Sequence, residues 1–154
     1  MKLQYFGTAA AEGWPALFCG CDACRRAREA GGRNIRTRSQ ALIDDKLLID
    51  FPADTYLHMI HYGLNLNHID SVIVTHAHED HFYPKELGNR RSGFAHIPED
   101  GPRLLTVYGS EAVGKALAPV IAGAQGRLAF ERLKIGEAYI IGGYSVTPVP
   151  ADHD

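Results

Sequence analysis

No apolar run in this chain approaches the length that crosses a bilayer, and the opening MKLQYFGTAA lacks the apolar core of a secretory leader. Membrane-spanning and exported classes are therefore set aside, and a cytoplasmic protein without a membrane partner is expected. Charge of one sign is also scarce. The formal net charge is −2, which gives no overall pull toward nucleic acid or an anionic surface. Only three cysteines occur, all between positions 19 and 24, which suits thiols or metal ligands better than a disulfide framework. The chain has no internal repeat and no low-complexity tract. What it does have is an ordinary globular composition, 45% hydrophobic and 22% charged over 154 residues, enough for one core. Eight histidines exceed structural need, and three of them crowd into six residues.

Strand and helix signals alternate along the chain, which implies an α/β or α+β class. Residues 2–6 read as a short strand entering a small-residue loop, Gly7 to Gly13. A helix is expected over residues 22–30, capped by Asp22 and stopped by Gly31-Gly32. Residues 40–44 and 46–50 resemble a hairpin turning at Asp45. Pro52 ends it, and helical spacing through Leu57 and Ile60 follows over residues 53–62. The β-branched run 71–75, SVIVT, reads as a buried strand leading into HAHEDH, with a helix expected to start near Asp80. After a loop-like stretch from Gly88 to Arg103, a strand is expected at Leu104–Tyr108. A helix over Ser110–Ala122, opened by Ser110, and strands at 127–133 and 144–149 complete the pattern.

HAHEDH carries the chemistry. A strand that ends at His76 leaves the backbone extended, so His76 and His78, two apart, point the same way and can grip one ion. Asp80 and His81 then face a second position. Imidazole and carboxylate together suit Zn²⁺, Mn²⁺ or Fe²⁺, and two ions roughly 3.5–4 Å apart can hold a hydroxide between them. His58, His61, His68 and His96 have no such context and read as ordinary surface or partly buried residues.

HAHEDH after SVIVT resembles the H-x-H-x-D-H signature of the metallo-β-lactamase superfamily, di-metal hydrolases with an αββα sandwich. The resemblance implies that His76, His78 and His153 hold one ion and that Asp80 and His81 belong to the other. It also implies that Asp50, closing LLID, supports the metal loop by hydrogen bonds. By the same resemblance a bridging carboxylate and a further histidine belong downstream of His153, one residue before the chain stops. Residues 1–154 are therefore expected to be the N-terminal part of one such domain, the first half of the sandwich.

Cys19-Gly20-Cys21-Asp22-Ala23-Cys24 places three thiols on a tight loop, able to take three corners of a zinc tetrahedron. Three reduced, unpaired cysteines are the alternative. With the preceding GTAAAEGWPALF this stretch resembles the PhnP branch of the superfamily, phosphodiesterases of small cyclic phosphates, where the cysteines hold a structural zinc. A similar opening occurs in PqqB-like biosynthesis proteins. The reading is then a di-metal phosphodiesterase of small or cyclic phosphodiesters, with two Zn or Mn ions at the catalytic site and one structural Zn. Other hydrolases of the fold (nuclease, lactonase, thioesterase) or a non-catalytic PqqB-like accessory protein are the alternatives. The arginines Arg25, Arg26, Arg28, Arg33, Arg36 and Arg38 read as a solvated face, with RNA or phosphate contact as the sharper alternative. A homodimer is left open.

Overall fold

The computed structural model describes residues 1–150. Six strands form one sheet in chain order: β1 (Leu3–Gly7), β2 (Gln40–Ile43), β3 (Leu47–Ile49), β4 (Ser71–Ile73), β5 (Leu105–Gly109) and β6 (Leu128–Arg132). The pairs β1–β2 and β2–β3 are antiparallel, and β3 through β6 are parallel. Two reversals return β1 to the direction of β3. The C-terminal ends of β1, β3, β4 and β5 therefore share one edge of the sheet, the edge where α/β folds place their ligands. Asp44 and Asp45 turn the β2–β3 hairpin, both at positive φ (47° and 59°), a conformation Asp tolerates better than most residues.

Three helices follow, α1 (Asp22–Ala30), α2 (Thr55–Tyr62) and α3 (Glu111–Gly123). Ser110 caps α3 by accepting from the Val113 N–H, as the sequence implied. Asp22, expected to cap α1, does not. Cys21 occupies the cap position without a side-chain bond, and Asp22 instead accepts from the Arg25 guanidinium at 2.7 Å. The helix expected over residues 53–62 forms as α2; its buried residues are Thr55 and His58, while Ile60 is exposed.

The helix expected near Asp80 is absent. Residues 78–81 make a turn in which the His81 and Phe82 N–H groups donate to the His78 carbonyl at 3.0 and 2.7 Å. Phe82 then pairs with Phe51: the Phe51 N–H donates to the His81 carbonyl at 2.8 Å, and the Tyr83 N–H to the Phe51 carbonyl at 2.7 Å. Those bonds spend the groups a helix would use, and Pro84 disfavours a helical Tyr83. A 3-10 helix forms only over Pro84–Arg90.

The core lies between the sheet and its helices. Leu48, Val72 and Val107 from adjacent strands and Val113 and Leu117 from α3 are all fully buried, each contributing about 1.5–3 kcal/mol by removal from water. A separate hairpin, β7 (Tyr139–Ile141) and β8 (Tyr144–Val146), turns at Gly142-Gly143, both at positive φ. The sequence reading has only its second strand, although a Gly-Gly pair between apolar runs is a hairpin signal. Among the described residues no helix is long and apolar enough to cross a membrane.

Candidate metal centre

The site begins with two neighbouring strand ends. β3 and β4 are parallel and paired, Ile49 opposite Ile73, so the residues that follow them emerge side by side. The Asp50 N–H donates to the Ile73 carbonyl at 2.8 Å, and the chain then turns sharply at Asp50, which has φ 63°. That left-handed turn puts the Asp50 carboxylate, 2% exposed, beneath the loop after β4.

There it accepts from three donors. The Thr75 N–H and hydroxyl reach Oδ1 at 2.8 and 2.9 Å, and His81 Nδ1 reaches Oδ2 at 2.6 Å. An ionised carboxylate only accepts, so the His81 proton sits on Nδ1 and the Nε2 lone pair is presented to the cluster. Asp50 is anchored from behind as well. The Gln40 side-chain amide donates to its carbonyl at 3.0 Å, and Gln40 Oε1 meets His58 Nδ1 at 2.6 Å. The other His58 nitrogen meets the Thr37 hydroxyl at 2.7 Å. His58 is thus a fully buried structural residue, and burial pushes its pKa down. Gln40, Thr37 and Thr75 have no sequence motif that would have marked them as props of the site.

One donor atom each from His76, Asp80 and His81 lies within 4.8 Å of the others. Two donors about 2.0–2.2 Å from one ion stand about 3.3–3.6 Å apart in a tetrahedron; His81 Nε2 and Asp80 Oδ2 are 3.6 Å apart. The donor set and spacing fit a divalent ion. The His78 ring stands edge-on to His76 with centroids 4.8 Å apart, and the His81 ring is 4.1 Å from His76. His76, Asp80 and His81 therefore share one point at the sheet edge, with the His78 ring beside His76 rather than within that group of donors. His153 lies outside the described residues.

The thiols of Cys19, Cys21 and Cys24 also lie within 4.8 Å of one another, on the loop leading into α1. Cys19 and Cys21 sulfurs are 3.3 Å apart, somewhat closer than the roughly 3.8 Å edge of a tetrahedron with 2.3 Å zinc–sulfur bonds. Cys21 is exposed and its pKa is lowered to about 7, first by the Cys24 backbone N–H and then by the neighbouring thiols. Cys24 is buried and shifts upward: a backbone hydrogen bond at Ala16 opposes the rise, but burial and the other two thiols outweigh it. A divalent cation suits three thiols that already compete for their protons. Nearby, much of the arginine run is engaged locally. Arg25 pairs with Asp22, Arg28 donates to the Cys19 carbonyl at 2.8 Å, and Arg38 pairs with Asp54 at 2.9 Å.

Known proteins share this fold. The structure superposes on a new diphosphatase from the PhnP family with a TM-score of 0.71 and 23% identity, covering 93% of this chain and 54% of that one. Zn²⁺-bound PqqB from Methylobacterium extorquens gives 0.72 and 22%, covering 94% of this chain and 54% of that one. The metallo-β-lactamase-fold protein YhfI from Bacillus subtilis gives 0.59 and 16%, with 94% and 51% covered. The chain has the metallo-β-lactamase fold. It spans about half the length of these solved structures. By sequence, the family of the anti-Pycsar protein Apyc1 matches residues 38–104, the segment that holds Asp50 and HAHEDH. No curated protein matches the chain by sequence.

Proposed function

We propose that the chain is the ligand-bearing first half of a metal-dependent hydrolase that cleaves small or cyclic phosphodiesters. The observation that carries this reading is the convergence of His76, Asp80 and His81 above a buried Asp50 that orients His81. A polar cluster without a ligand has no need of a second tier of buried groups. His76, His78, Asp80 and His81 would hold divalent ions, with His153 completing the first set, and Cys19, Cys21 and Cys24 a structural zinc. When bound, such ions supply a water nucleophile at neutral pH and positive charge for the oxygens of the scissile bond.

The chain's own residues set the rest. Asp50 keeps the His81 proton on Nδ1, so Nε2 remains available, and Thr75 fixes Asp50 so that the ring cannot swing. A diester suits the centre better than a monoester because it brings one negative charge to a site that already holds Asp80, whereas a monoester dianion brings two. Ring strain in a cyclic diester lowers the barrier further.

The test uses purified full-length protein loaded with Zn²⁺ or Mn²⁺. It should hydrolyse bis-aryl phosphates, cyclic ribose phosphates faster still, and monoesters hardly at all. Turnover of thioesters or lactones with no attack on any phosphodiester would overturn the substrate class. Tight zinc binding with no hydrolysis at all would favour the non-catalytic reading that the likeness to Zn²⁺-bound PqqB keeps in view.

A further inference from the structure

On the helical side of the sheet lies a cavity of about 560 Å³. Its floor is made by Leu48, Val72 and Leu105, strand residues of the core, and Met59 of α2 forms part of one wall. Tyr56 and Phe94, both well exposed, stand at the mouth. No histidine, aspartate or cysteine of the two ligand clusters lines it. The volume falls within the roughly 300–1,000 Å³ typical of small-molecule sites, and an apolar lining with few polar groups is their usual chemistry.

The charged residues of the lining are Arg90 and Glu86, and no ion pair joins them among the described residues. Arg90 lines the cavity; one of its terminal nitrogens donates to the Pro102 carbonyl, while its Nε is buried and has no hydrogen-bond partner among the described residues. No carboxylate among the described residues pairs with it. Arg127 stands behind it, donating to the Arg90 and Ala95 carbonyls at 3.1 and 3.2 Å. Arg91 lies 4.1 Å over the ring of Phe94 at the mouth. Burial, and then the charge of Arg127, push the Arg90 pKa down. Glu86 is the acidic residue of the lining, and burial pushes its pKa up. A half-buried guanidinium with a second one behind it and no ion pair of its own is costly, and an anion in the cavity would offset part of that cost.

We propose that this cavity binds a single-chain amphiphile with a monoanionic carboxylate head, its acyl chain on Leu48, Val72 and Leu105 and its head at Arg90. The apolar depth excludes small hydrophilic anions from binding well, and the arginine distinguishes the carboxylate from a neutral chain of equal length. No ligand residue of either cluster lines the cavity, so this inference does not rest on the proposed hydrolysis.

Calorimetric titration with decanoate, decanol and acetate tests it. Decanoate should bind saturably, one per chain and below its aggregation threshold, with decanol at least about tenfold weaker and acetate undetectable. Arg90→Met should weaken decanoate about tenfold or more and leave decanol unchanged, whereas Arg90→Lys, which keeps the charge, should retain much of the affinity. Met59→Trp, which fills the wall side, should weaken both chains. Equal affinity for decanoate and decanol, insensitivity to Arg90→Met, or no saturable binding by the unaltered protein would each overturn the proposal.

Discussion

The histidine–aspartate cluster and the cysteine cluster each bring three metal-ligand side chains together, yet they are assembled by opposite means. Cys19, Cys21 and Cys24 meet because they are within six residues on one loop. The sheet is hardly involved, and the closest cross-support is the Arg28 guanidinium on the Cys19 carbonyl. His76, Asp80 and His81 are also close in sequence, but what fixes them comes from far away: Asp50 on the neighbouring strand end, and behind it Gln40, His58 and Thr37. Local clustering suffices to hold an ion. Control of which nitrogen faces that ion needs the tertiary fold.

The comparison is most easily broken at the ligands themselves. In the full-length protein, Asp80→Ala or His81→Ala should lower phosphodiester turnover by several orders of magnitude with circular dichroism unchanged, and zinc at the cysteines should persist. If either variant lost both metals together, the two clusters would not be independent. A second expectation concerns the scaffold. Leu117→Ala, a truncation in the fully buried face of α3, should cost roughly 2–5 kcal/mol in urea unfolding. Because the histidine cluster depends on the sheet and the thiols do not, intermediate urea should release the histidine-bound metal first.

Asp50→Asn sharpens the contrast at the second tier. It keeps the left-handed turn accessible but replaces one accepting oxygen by a donor facing His81. Metal affinity at the histidine cluster should fall about 10–100-fold, measured by chelator competition, with the thiol site unaltered. Replacing Cys19, Cys21 and Cys24 together by Ser should do the converse, reducing zinc content and loop stability while the histidine-bound metal stays. Full stability with lost activity would make the cysteines catalytic instead.

The smallest effect is a pH dependence. Burial depresses the His58 pKa in the folded state, so between that value and the unfolded value near about 6.5 the unfolded chain binds more protons. The stability contribution of neutral His58 is therefore complete above about 6.5 and is lost as pH falls through its folded pKa. Unfolding midpoints at neutral and mildly acidic pH should separate more for the unaltered protein than for His58→Gln. Equal separation would show that His58 does not titrate between those conditions.

Much of the strand pattern was legible because β-branched runs such as 71–73 and turn residues such as Asp44-Asp45 carry local signals that the fold respects. The helix expected near Asp80 does not form, and beyond the local signal of Pro84 the reason is long-range. Phe82 is pinned in extended pairing by Phe51, thirty-one positions earlier, and that pairing consumes the backbone groups of a first turn. In α2 the helix was legible but the full burial of His58 was not, because His58 buries a polar ring only when Gln40 and Thr37 satisfy both nitrogens.

By itself the sequence determined the chemistry on offer: three histidines and an aspartate within HAHEDH, three thiols between 19 and 24, and an aspartate closing LLID. Ligand identity is a property of side-chain type and short spacing, and both are written along the chain. Only the tertiary structure decided which atom each ligand presents, that Thr75 and Gln40 hold Asp50, and that Arg90 lines an apolar cavity with its Nε unpartnered among the described residues. Those are consequences of β3 and β4 lying parallel and side by side and of α2 and the 84–97 segment enclosing one face of the sheet. Pairings across tens of residues are settled by packing and burial, which no local pattern encodes.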